Sequence, residues 1–115
     1  MKNYEVCGYN AYGEPTYSER FSEPKAAIKA WFVQNHKTPM ETNLMAKTKE
    51  DAIALIEWAA NNKDFLTEMD ELHKSHYKLP YLLQYVEDKK KDQCKHFYTG
   101  KAGEGWDSVF PFCMG

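Results

Sequence analysis

Residues 3–35 read NYEVCGYNAYGEPTYSERFSEPKAAIKAWFVQN, and they combine the signals of a β-hairpin with those of a following helix. Tyrosine, valine, threonine and phenylalanine recur up to Phe21, and these residue types favour strands. The run is broken at residues 11–15, where Gly13 and Pro15 are typical of a turn. We therefore predict a β-hairpin over residues 3–21.

A helix start follows directly after this hairpin. Residues 22–24 are serine, glutamate and proline, which supply a capping hydroxyl, an acid for the helix dipole and an early-turn proline. The pattern predicts a helix from Glu23 to Asn35. Its buried face should carry the apolar residues spaced three and four apart, which are Ile28, Trp31 and Phe32.

The middle of the chain predicts a second helix, preceded by a brief strand at residues 44–46. Thr48 with Asp51 three residues later resembles a capping box in which aspartate replaces the usual glutamate. A helix over Lys49 to Asn61 should follow. Its apolar positions with helical periodicity are Ala52, Ile53, Leu55, Ile56, Ala59 and Ala60.

Two further helices are expected before the end of the sequence. Asp64 is a suitable cap for the third, whose buried stripe would be Phe65, Met69, Leu72 and His76. Pro80 interrupts that pattern and can occupy the first turn of a fourth helix over residues 80–90. The fourth helix would bury Leu82, Leu83 and Val86.

Two short apolar runs near the end of the sequence predict strands, at Cys94–Thr99 and Val109–Phe112. Together with the N-terminal hairpin they would form a small antiparallel sheet packed against three to four helices. We expect an α+β fold and a single domain over residues 1–115, because 115 residues suit one core.

Composition restricts the function classes. Fifteen basic and seventeen acidic residues give a net charge of -2, which does not supply the field that non-specific phosphate binding needs. We find no apolar stretch of signal-peptide or membrane-span length. The number of cysteines is odd and a chain of this size can form its own core, so a disulfide framework is not required. We expect a cytoplasmic protein with reduced thiols. We expect no cofactor.

Catalytic and metal sites are only weakly indicated. His73, His76, Cys94 and His96 are the right types for tetrahedral zinc, provided that Cys94 and His96 share one face of a strand. Their spacing matches no common zinc motif. A catalytic thiol would need a histidine beside it and a third group to orient that histidine. No such third group is identifiable for Cys7, Cys94 or Cys113. The glycine-rich stretch Gly100–Trp106 does not match a phosphate-binding loop. We do not expect an enzyme.

The leading hypothesis is a non-catalytic protein-binding domain of inhibitor or adaptor type, such as phages and mobile elements use against host nucleases. It would present acidic outer helix faces to a basic partner. The acidic candidates are Glu50, Asp51, Glu57, Asp64, Glu68, Asp70 and Glu71. The aromatic candidates for the same interface are Tyr9, Tyr12, Tyr17 and Trp106. Solvated helix faces and ordinary core packing are the alternative explanations.

A competing hypothesis is a nucleic-acid-binding module. Its charges would come from Lys89, Lys90, Lys91, Lys95 and Lys101, with His96, Tyr98 and Trp106 stacking on bases. A zinc protein or small enzyme is a third, weaker hypothesis. Homodimerisation also stays open, since a small sheet exposes two β edges.

Overall fold

The computed structural model describes residues 1–37, 41–73, 79–97 and 106–113. Its elements are β1 Tyr4–Tyr9, β2 Pro15–Phe21, α1 Pro24–Lys37, β3 Glu41–Ala46, α2 Lys49–Asn61, α3 Lys63–His73, α4 Leu79–Asp92 and β4 Asp107–Cys113. This α+β arrangement confirms the fold expected from the sequence. Among the described helices, none has the length and apolar character needed to span a membrane.

The sheet has the strand order β2-β1-β3-β4, and every neighbouring pair is antiparallel. The hairpin between β1 and β2 is closed by Asn10, whose Oδ1 accepts hydrogen bonds from the backbone N–H groups of Tyr12 and Glu14. Gly13 adopts a φ of 78°, which glycine reaches without the strain a side chain would add. The predicted strand at 44–46 is longer than expected and lies inside the sheet.

The four described helices all contribute to one core that covers one face of the sheet. Alternate residues of β1 and β3, including Val6 and Leu44, are fully buried there. Trp31 of α1 lies at the centre, with its ring 5.3 Å from that of Phe110 in an edge-on arrangement. Its indole Nε1 also donates to the backbone oxygen of Thr42, 3.2 Å away. The buried stripe predicted for the first helix is confirmed.

The opposite face of the sheet carries the intervening residues, as the period of a strand requires. Glu5 lies opposite Arg20 across the β1–β2 pair, and the Arg20 Nε to Glu5 Oε1 distance is 2.9 Å. The Arg20 guanidinium also lies 5.0 Å from the centre of the Trp106 ring. A polar and aromatic row therefore crosses this face.

The strand predicted over Cys94–Thr99 is wrong in its described part, since residues 93–96 form turns. Gln93 and Cys94 both have positive φ, 51° and 55°. The Asp92 carboxylate accepts a hydrogen bond from the Cys94 N–H at 2.8 Å, a local bond that competes with strand pairing. Cys94 is buried and His96 is exposed, so their side chains do not share one face of a strand as expected.

The face predicted for the third helix is also partly wrong. α3 buries Leu66 and Met69, whereas the Leu72 side chain is 64% exposed. Phe65 is half-buried and packs edge-on against Trp58, with a ring separation of 5.4 Å. The predicted stripe therefore lies at the wrong angle around the helix, and its last member, His76, lies outside the described residues.

Candidate protein-interaction surface

The outer side of α3 concentrates negative charge around one exposed leucine. Asp64, Glu68 and Glu71 follow one another at helical spacings of four and three, and all three are exposed. Leu72 lies next to them, four residues after Glu68. We call these four residues the acidic α3 face. Within the described ranges, no ion pair involves its carboxylates.

Contacts at its first turns hold α3 in place. The Lys63 Nζ lies 2.5 Å from the Glu87 Oε1 of α4, and the same lysine lowers the pKa of the Glu87 carboxyl by hydrogen bonding and charge. The Phe65 ring packs on Trp58 of α2 on one side and has the Lys25 Nζ of α1 at 5.5 Å. The acidic α3 face is therefore fixed by contacts with three other helices.

The exposed side chain of Leu72 indicates a binding surface only in combination with its acidic neighbours. A single apolar side chain on a surface is ordinary. Leu72, however, combines an exposed apolar group with flanking carboxylates, a combination that suits a partner with an apolar pocket and a basic rim. Tyr81 in the first turn of α4 is another large exposed side chain, at 69% exposure.

The remaining acidic candidates divide into two groups. Glu50 and Glu57 are exposed on α2 and, being seven residues apart, share one side of it. Asp51 instead stabilises the fold, because its Oδ2 accepts from the Asn3 amide at 2.9 Å and from the Thr48 hydroxyl at 2.6 Å. Asp70 is half-buried and already engaged in an interaction.

The aromatic candidates are not presented alike. Tyr12 projects from the hairpin turn with 88% exposure. Tyr9 and Tyr17 are half-buried, and the Tyr17 hydroxyl donates to the Glu19 carboxylate at 2.5 Å. Trp106 is half-buried and has the Arg20 guanidinium over its ring. Tyr12 is thus the most accessible of the four.

The thiol and histidine candidates do not form a cluster in the part of the chain that the structure describes. No group of three or more histidine, cysteine, aspartate or glutamate side chains there could hold a metal ion. Burial, reinforced by the Glu5 carboxylate, raises the pKa of the Cys7 thiol to about 12, and burial also raises the pKa of Cys94. Both thiols are therefore protonated at neutral pH, the less nucleophilic form.

The lysines proposed for nucleic-acid binding surround the end of α4. Lys90, Lys91, Lys95 and His96 are exposed, while Lys89 is half-buried with its Nζ 5.9 Å from the Tyr85 ring centre. Lys101 and Tyr98 fall outside the described residues. Cations in a last helical turn also stabilise the helix dipole, which accounts for part of this charge.

Comparison of the chain with protein-family models, curated proteins and solved structures finds no match. Sequence reasoning identified the acids of α3 but placed Leu72 in the core. The signal that could have corrected it was the acidic spacing at 64, 68 and 71, which leaves Leu66 and Met69 on the opposite side.

Proposed function

We propose that this chain is a non-catalytic protein-binding domain that docks through the acidic α3 face on a basic partner. The proposal is carried by one observation, which is that three exposed carboxylates at helical spacing border an exposed leucine on an anchored helix. Charge on such a face directs encounter with a basic partner, and burial of the leucine slows dissociation.

An inhibitor or adaptor is the class that fits this surface. A groove that a nuclease uses for nucleic acid is basic, and a row of carboxylates can occupy it in place of phosphates. Four residues of helix advance the chain by about 6 Å, so the carboxylates form a row rather than a point. A row of charges matches an elongated basic groove.

The experiment is a pull-down from native lysate, with and without nuclease, using the wild-type chain and two charge-reversal variants. One variant carries Asp64→Lys, Glu68→Lys and Glu71→Lys. The control variant carries Glu50→Lys and Glu57→Lys on α2, which are also exposed acids but lie outside the acidic α3 face. We expect a stoichiometric protein partner that survives nuclease, is lost with the α3 variant and is kept with the control.

Leu72→Ala refines the same test, because it leaves the charges intact. With the captured partner purified, we expect its affinity to fall about tenfold or more and mainly through faster dissociation. Equal binding by wild type and the α3 variant would overturn the proposal.

The second candidate, a nucleic-acid-binding module, is favoured by the exposed lysines at the end of α4. Recovery of nucleic acid in the same pull-down would support it instead. The binding should then weaken steeply with salt and be lost with Lys90→Glu and Lys91→Glu.

A further inference from the structure

A second surface lies at the edge of the sheet, away from the acidic α3 face. β2 is an edge strand, since its neighbour in the described sheet is β1. Beside it an open groove of about 340 Å³ separates the strand from α1. The groove is lined by Tyr17, Glu19, Phe21, Lys29, Ala30 and Val33, among others.

This edge has the properties of a pairing site. An edge strand presents backbone N–H and C=O groups that a further strand can bond, and β2 has seven residues, longer than a typical protected edge. Pro15, which cannot donate, stands at its first position and leaves the other amides in place. Tyr17 and Phe21 are half-buried and line the groove, so a further strand would cover them.

We propose that β2 pairs antiparallel with β2 of a second copy of this chain, forming a two-fold symmetric dimer. Ser18 is the midpoint of Pro15–Phe21, so a two-fold axis at Ser18 pairs all seven residues of both strands. In that register Tyr17 lies opposite Glu19 of the other copy. An axis at Glu19 would place two like carboxylates opposite each other, and one at Tyr17 would leave Arg20 and Phe21 beyond the end of the other strand.

The charges in the groove fit a second copy of the chain as the occupant. Among the described residues that line the groove, the acid is Glu19 on β2 and the base is Lys29 on α1. Two-fold pairing brings the Glu19 of each copy into the groove that contains the Lys29 of the other. The same surface therefore complements itself, as a two-fold interface requires.

The test measures mass in solution by sedimentation equilibrium for the wild-type chain, Glu19→Lys and Lys29→Glu. The chain is 13.4 kDa, and we expect the wild type at roughly twice that mass. Each single variant places like charges in both grooves and should be monomeric. An equimolar mixture of the two variants should recover the dimer, because both contacts between unlike chains then join a lysine to a glutamate.

Recovery of the dimer in the mixture would show that the altered contacts lie between chains, because mixing cannot restore a contact within one chain. Glu50→Lys and Lys47→Glu serve as matched controls, since they make the same charge changes at exposed positions away from the groove. A monomeric wild type, or a dimer that persists in both single variants, would overturn the proposal. Circular dichroism confirms that each variant is folded.

The register has its own test. Ser18→Cys places two thiols on the axis, at the strand separation that a disulfide accepts. Cys7 lies opposite Ser18 within the chain, so it is replaced by alanine in this background. Oxidation should then link Ser18→Cys chains into covalent dimers and leave Thr16→Cys chains largely unlinked. The reverse result would exclude the Ser18-centred register.

Discussion

At the scale of single residues, Asn35 is a buried amide that makes no side-chain hydrogen bond to the described residues. Its side chain is 1% exposed at the buried side of α1. Neither Oδ1 nor Nδ2 has a hydrogen-bond partner in the described structure. A buried polar group without a partner loses its hydrogen bonds to water and forms none in the protein. This lowers the free energy of unfolding by about 1–3 kcal/mol.

Replacing this amide by a hydrocarbon of similar shape should stabilise the protein. We expect Asn35→Leu, which keeps the branch at Cγ, to raise the urea midpoint by the equivalent of about 1 kcal/mol, leaving the slope unchanged. Asn61→Leu is the control, because Asn61 is exposed and should have little effect. A lower midpoint for Asn35→Leu would contradict this prediction.

At the scale of elements, the sequence was most informative where local chemistry decides the structure. α2 spans Lys49–Asn61 as predicted, because its cap depends on residues only three positions apart. The Thr48 Oγ1 accepts from the Asp51 N–H at 3.1 Å and donates to the Asp51 Oδ2 at 2.6 Å. Asp51 then accepts from Asn3, so the cap also ties the helix to the start of β1.

Removal of this cap should destabilise the whole domain, since α2 packs on α1, α3, α4 and β3. Thr48→Ala leaves the Asp51 N–H without its acceptor, and we expect a loss of about 1 kcal/mol in the free energy of unfolding. Thermal or urea unfolding measures it. Thr67→Ala is the comparison, because its hydroxyl bonds the Lys63 carbonyl inside a helix. An equal effect at both sites would mean that capping is not the cause.

Structure was less predictable from the sequence where local hydrogen bonds compete with strand pairing or where packing against distant elements sets the buried side of a helix. A strand was expected over Cys94–Thr99, yet the Asp92 carboxylate accepts a hydrogen bond from the Cys94 N–H and fixes a turn. Which side of α3 is buried depends on how the helix packs against α1 and α4. The apolar periodicity of its eleven residues does not determine that side. For the same reason the acids of the acidic α3 face were predictable individually, but the exposure of Leu72 was not.

At the scale of the whole molecule, several buried tyrosine hydroxyls and a buried thiol make the free energy of unfolding depend on pH in the alkaline range. Burial raises the pKa of Tyr4, Cys7 and Tyr17 to about 12, and it raises the pKa of Tyr85 as well. In the unfolded chain these groups ionise near 10.0 for tyrosine and 9.0 for cysteine. Folding therefore favours their protonated forms.

The sign of the pH dependence follows from linkage. Because the folded-state pKa values are the higher ones, the stabilisation is complete below about pH 9 and is lost progressively as pH rises towards 12. We expect the urea midpoint to fall steadily between those values. Tyr17→Phe should make the fall shallower, since it removes one of the titrating groups. A midpoint that stays constant up to pH 11 would contradict this account.

The order of strands in the sheet also affects the sequence of events during synthesis. β1, β2 and β3 are neighbours made within the first 46 residues, so they can pair early around α1. β4 joins β3 only after roughly 60 further residues, and closing so long a loop is entropically costly. Phe110, which completes the packing around Trp31, arrives with it. Until then a ribosome-bound chain leaves β3 uncovered along one side, and this interval carries the greatest exposure to chaperone capture or to mispairing between nascent chains.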